Sequence, residues 1–344
     1  MKKTIPWIIA ITVLLIITVG VYFLSGCQKE ESVSTTADTK KVEETIIENK
    51  IYFPALSESG KEVLYFSGNE EGYLYSQSLE NGQITKLSEQ IKSLEEIIWS
   101  PQKNKAIICF LEEGSGVSYQ VYDLKTKKFS ELDSHIQNLA WANSGEKIIY
   151  DYYSYKENIN NISISNPDGS NWNKLIDIEY REGFGFVTYA SEEIYYYPRL
   201  TEIGGDKIFQ LNIKSALTKE IIKEDIASGA LADSNGNLIF NLYHQEVESY
   251  TLAILPKGTQ NIIDLEIKSG IDKIGIFNKK SSAIVASPQE NSNDKLYQVD
   301  LTNGDKKEIT YLSESRINAY NLMLSLNNET LYFTSDNYLY KINL

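Results

Sequence analysis

After about residue 40 the chain alternates apolar and polar positions with period two, and one alternating phrase recurs. Its copies are residues 73–79 (YLYSQSL), 118–124 (SYQVYDL), 161–167 (NISISNP), 207–213 (KIFQLNI), 249–255 (SYTLAIL), 295–301 (KLYQVDL) and 338–344 (YLYKINL). Successive copies start 45, 43, 46, 42, 46 and 43 residues apart. Period-two alternation puts every second side chain on one face of a strand. Upstream of each copy lies an apolar pair, a polar turn and a second apolar run. Ile98-Trp99-Ser100-Pro101 leads to residues 106–110 in this way, and Leu139-Ala140-Trp141 leads through Asn143-Ser144-Gly145 to Ile148-Ile149-Tyr150. Two β-rich runs joined by a polar turn predict a hairpin. Downstream comes another turn, such as Glu80-Asn81-Gly82 or Thr302-Asn303-Gly304, and a fourth short run.

Seven such units predict an all-β chain: a seven-bladed β-propeller of four-stranded antiparallel blades, one domain over residues 42–344. The 24 tyrosines, with abundant Ile, Val, Thr and Phe, suit pleated, half-buried surfaces. The seventh unit reaches Leu344 without a fourth run. Residues 42–49 (VEETIIEN) resemble the fourth run 217–224 (LTKEIIKE). This N-terminal strand is expected beside residues 338–344, where it closes the ring and removes exposed sheet edges.

Residues 1–27 read differently. Lys2 and Lys3 precede a charge-free, mostly apolar run, followed by Leu24-Ser25-Gly26-Cys27. A basic start, an apolar centre and small residues make a bacterial export signal, and Leu-Ser-Gly-Cys resembles the lipobox of bacterial lipoproteins. That resemblance implies acylation of Cys27. A second reading stands beside it. The apolar run is long enough to span a bilayer uncleaved, with Trp7 and Tyr22 at its interfaces. Either way the lysines stay inside, and the ring is expected outside the cytoplasm on a membrane-anchored chain. Residues 28–41 are polar and too poor in apolar groups to order themselves, so they are expected to form a disordered tether.

The formal charge is −14, and becomes −16 once Lys2 and Lys3 are set aside. That disfavours nucleic acid and anionic headgroups as partners. The second cysteine, Cys109, lies mid-strand and reads as a small buried hydrophobe.

Candidate chemistry is sparse. The two histidines, His135 and His244, lack metal-ligand spacing, and no Gly-x-Ser-x-Gly elbow is present. These counts argue against histidine-rich pectin lyases and prolyl-oligopeptidase-type hydrolases. The three arginines come without Asp-box turns, against sialidases. No cofactor is implied. A hydrolase or lyase with a carboxylate-bound metal at the channel mouth is the alternative reading. Nine tyrosines fall between residues 150 and 197. Of these, Tyr153, Tyr155 and Tyr197 sit where a strand runs into a longer loop, and aromatic rings with polar tips favour recognition. Arg181 and Arg316 fall between a fourth strand and the next first strand, and Arg199 between a second and a third. Those loop classes share one face of a propeller, so these six residues are the candidate ligand-binding set.

The units resemble the WD-like repeats of the TolB-type propeller family, through Trp99-Ser100-Pro101, Trp141 with Asn143-Ser144-Gly145, and the strand 148–150. The pattern weakens in units four to six. The resemblance implies binding of proteins in the cell envelope, and some members of the family are domains of enzymes. The expected role of this chain is a monomeric, non-enzymatic module that binds a protein or glycan of the cell envelope.

Overall fold

All seven copies of the alternating phrase form strands, each the third of four in an antiparallel sheet. A computed structural model describes residues 40–44, 47, 49–68, 71–112, 116–178, 184–188, 192–198, 206–313 and 316–344. The expected signal or anchor, Cys27 and the tether up to residue 39 lie outside the described residues, as do Arg181 and Arg199. The chain from Lys40 onward is a seven-bladed β-propeller. Blade 2, for example, is Leu94–Trp99, Lys105–Glu112, Gly116–Asp123 and Lys128–Glu131. Blade 3 is Ile136–Trp141, Ile148–Ser154, Ile159–Ser165 and Asn173–Asp177.

Blade 7 supplies three strands from the C-terminal end of the sequence, and its fourth is Lys40–Glu44, antiparallel to Tyr338–Asn343 with Val42 opposite Ile342. This strand starts two residues earlier than the sequence pattern suggests, inside the segment read as tether. The reason is a second partner: Lys40 and Lys41 also pair, in parallel, with Tyr311 and Leu312. Another difference concerns blades 4 and 5. The fourth strand of one and the first of the next are a single 16-residue strand, Leu217–Ala232. Its pairing shifts register between Ile226 and Ala230, where Gly229 takes a φ of 151° that a side chain would resist.

The buried apolar residues fall into seven clusters, one in each seam between neighbouring blades. Alternation along each strand explains this. Ile148 and Tyr150 face blade 2 while Ile149 faces blade 4. The closing strand takes part, because Val42 packs with Ile317, Leu331 and Ile342 in the last seam.

Polar ties join the blades as well. The indole N–H of Trp99 donates to the Phe53 carbonyl one blade back at 2.7 Å, and that of Trp141 to the Ile98 carbonyl at 2.8 Å. The hydroxyl of Thr188 continues the series to the Trp141 carbonyl at 2.8 Å. The repeated tryptophans of the sequence pattern therefore link successive innermost strands. Phe53 has a φ of 50° within a β-bulge, a costly backbone for a bulky residue. Between blades 6 and 7, Lys273 and Asp294 form a buried ion pair at 2.7 Å.

Candidate functional site

Blade 3 carries tyrosines on its second strand with no ring opposite them on its third. In blades 1, 4 and 7 an aromatic of the second strand stacks on its cross-strand partner in the third. The pairs are Tyr65 with Tyr75, Tyr196 with Phe209 and Phe333 with Tyr340. In blade 3 the corresponding Tyr150 faces Ser163, and its neighbour Tyr152 faces Asn161. Tyr150, Asn161 and Ser163 are buried, and the Ser163 hydroxyl donates to the Asn161 side-chain oxygen at 2.7 Å. Outside them lies a groove of about 1080 Å³, at the upper end of the range for small-molecule pockets.

One wall is the face of blade 3, with Tyr152, Asn161, Ser163, Lys174 and Asp177. The other is Glu131, Leu132 and Asp133, leaving blade 2. The turn after Ile148–Ser154 contributes Tyr153, Tyr155 and Glu157, and the turn before Asn173–Asp177 contributes Asp168 and Trp172. Tyr155 is 78% exposed and Trp172 67%, so each presents a ring to solvent at the groove's edge. They lie at opposite ends of Ile159–Ser165, whose seven residues set them roughly 20 Å apart.

The groove is electrostatically negative. Lys174, on one wall, donates to both carboxylate oxygens of Asp177, at 2.9 and 2.7 Å. Hydrogen bonds from the hydroxyl and amide of Ser170 hold Asp168 below the usual carboxylate range. At Asp133 partial burial pushes the carboxyl up, but the amide and ring of His135 outweigh it and hold the group low. Both acids are therefore ionised at neutral pH.

The six sequence-derived candidates separate. Tyr153 and Tyr155 come together on the groove; Tyr153 is half-buried and its N–H donates to the His135 carbonyl at 2.9 Å. Arg316 is exposed in the linker before blade 7 and is not among the groove residues. Tyr197 is 7% exposed, in the core between blades 4 and 5. Its cross-strand partner is Gly185, and the Tyr197 ring occupies the space a side chain there would need. A tyrosine opposite a glycine folds inward, so Tyr197 belongs to packing rather than to a loop surface. Arg181 and Arg199 lie outside the described residues.

Trp172 is a turn aromatic as legible in the sequence as Tyr155, whereas Asn161, Ser163 and Asp177 lie within strands, where nothing local marks them.

The remaining titratable groups do not converge. His135 pairs with Asp133 in the seam of blades 2 and 3, and His244 with Thr251 and Asp264 in blade 5. Burial pushes the Cys109 thiol up to about 11, with Glu96 and Glu95 adding to the effect, so it is unreactive. Asp151, buried between blades 3 and 4, is pushed up to about 6 by loss of solvent, against the pull of hydrogen bonds from Asn138. Among the described residues no group of three or more His, Cys, Asp or Glu side chains is placed to hold a metal ion.

Neither protein-family models nor curated proteins match this sequence. Solved structures do. The β-propeller domain of the trilobed protease from Pyrococcus furiosus, described as having an open velcro topology, superposes with a TM-score of 0.59 at 13% identity, covering 86% of this chain and 93% of that one. An uncharacterised protein from Listeria monocytogenes gives 0.60 at 16% identity, covering 87% and 93%. An oligogalacturonate lyase in complex with manganese gives 0.61 at 11% identity, covering 89% and 90%. Such identities show a shared fold.

Proposed function

We propose that this chain is a membrane-tethered, extracytoplasmic binding module without enzymatic activity, and that its ligand, a protein or glycan of the cell envelope, docks in the groove between blades 2 and 3. The observation that carries this reading is the groove of about 1080 Å³ between blades 2 and 3, whose opening is flanked by exposed Tyr155 and Trp172. Exposed large aromatics at the edge of a concave surface are costly to leave in water, and recognition sites are enriched in them. The lipobox-like Leu24–Cys27 segment supports a tethered location.

Photo-crosslinking in intact cells tests it. A photoreactive residue at position 155 captures a partner; the same residue at Lys307, exposed on blade 6, does not. Trp172→Ala, which removes the exposed ring at the groove's other end, abolishes capture at position 155. Equal capture from both positions, or capture unaffected by Trp172→Ala, refutes the assignment.

A further inference from the structure

Building on that assignment, we infer that the groove receives an extended peptide segment of a partner protein, with a lysine or arginine side chain over the Tyr152 row of blade 3 and an apolar side chain against Trp172. Charge points there first. The groove residues include five carboxylates, at Glu131, Asp133, Glu157, Asp168 and Asp177, while Lys174 is bonded to Asp177. Residues 179–183, which follow Ile178, add two glutamates and one arginine, so the acidic excess persists. A lysine or arginine brings the complementary charge.

The carboxylates gather around one row. Tyr152, Asn161 and Asp177 are cross-strand neighbours, so their side chains share a face of blade 3. Asp133 stands on the other wall. Its carboxylate is bonded to the His135 ring at 2.8 Å, and that ring lies 5.4 Å from the ring of Tyr152. Burial, and after it the charges of Asp133 and Glu157, push the Tyr152 hydroxyl above its ordinary value, so both carboxylates act on the same spot. An ammonium or guanidinium only donates hydrogen bonds, carboxylates only accept them, and aromatic faces attract the same cations. At the groove's other end apolar surface is available. Trp172 is exposed, and Leu132 reaches the same turn, with its Cδ2 3.7 Å from where a side chain on Gly169 would begin. The roughly 20 Å between the exposed rings is the span of about six extended residues. A metal ion fits less well, because among the described residues no three His, Cys, Asp or Glu side chains are placed to hold one.

The test uses the purified full-length chain in detergent micelles and its own fluorescence. Trp99 and Trp141 are tied by their indole N–H groups to neighbouring blades, whereas Trp172 is exposed. Probes are pools of acetylated, amidated hexapeptides in which one position at a time is fixed as lysine, arginine, leucine or glutamate, with spermine as a cation that is not a peptide. Pools with lysine or arginine fixed at one position are expected to shift Trp172 emission to the blue and shield it from acrylamide. Glutamate at that position gives no response, and Trp172→Phe removes the signal. The midpoint rises tenfold or more in Asp133→Asn/Glu157→Gln and threefold or more in Glu157→Gln alone. Glu246→Gln/Glu248→Gln takes the same charge from an exposed turn of blade 5 and leaves the midpoint within twofold. The inference is overturned if no pool acts on Trp172, if glutamate pools act as well as basic ones, or if the blade 5 variant weakens binding as much as the groove variant. It is also overturned if spermine alone acts, which makes the groove a polyamine site. Each of these results leaves the groove a binding site if crosslinking at position 155 is still abolished by Trp172→Ala, so the two readings fail separately.

Discussion

Lys273→Met tests how the last seam is held. Lys273 and Asp294 have side chains only 5% and 4% exposed, and their charges meet at 2.7 Å. Lys273 also donates to the Asn318 side-chain Oδ1 at 2.5 Å, and its ammonium lies 3.9 Å from the centre of the Tyr320 ring. Asp294 takes the Ala319 N–H at 2.9 Å on the carboxylate oxygen that meets Lys273, and its carbonyl accepts from Tyr311. Removing the ammonium leaves a buried carboxylate with a single N–H donor on that oxygen. Truncating one partner of such a pair costs about 3–5 kcal/mol, because the other charge has lost its compensation and cannot reach water. With unfolding entropy near 2.1 cal/mol/K per residue, a ring of about 300 residues loses roughly 5–8 °C in Tm. Differential scanning calorimetry measures it. The double variant Lys273→Met/Asp294→Leu removes both charges and is expected to recover most of the loss, since apolar replacement of a whole pair is near neutral. Single variants within 2 °C of the parent, or a double variant no better than the singles, would refute the reasoning.

Asp151→Asn should change how stability responds to pH. Its folded value of about 6 lies above the ordinary carboxylate value of 3.8, so the parent has this contribution in full below pH 4 and loses it as pH rises through 6. The loss is roughly 3 kcal/mol. Parent and variant denaturation curves compared at pH 4 and 7.5 should move apart by that amount in the variant's favour; a pH-independent difference would contradict it. Removing residues 1–38 should leave Tm unchanged, whereas removing 1–44 takes away the closing strand, uncovers Tyr338–Asn343 as a free edge and should cause aggregation. Equal behaviour of the two truncations would sink the closure argument. Cys27→Ser should abolish incorporation of labelled lipid in cells, and a variant labelled like the parent would assign the segment to the uncleaved helix instead.

What the sequence determined by itself is the ring. Seven copies of one alternating phrase, spaced by 42 to 46 residues, specify seven third strands, because period-two alternation has one face-to-face solution and turn residues mark each reversal. The closing strand was legible too, since residues 42–49 read as a fourth strand with no unit of their own. Its start was not legible. Lys40 and Lys41 are polar, and only the parallel edge at Tyr311–Leu312 draws them into the sheet.

The candidate site was half visible. Tyr153 and Tyr155 stand out as aromatics at a strand's end, but nothing local separates them from Tyr197. That difference arises across the sheet, where Gly185 leaves a hollow that the Tyr197 ring fills. The groove is not marked in any one strand. It forms where the turns at the two ends of Ile159–Ser165 meet the residues leaving blade 2. Strand periodicity is a property of neighbours along the chain and can be read there. A void is a property of groups far apart in the chain that fail to meet, and only the tertiary structure brings them to the same place.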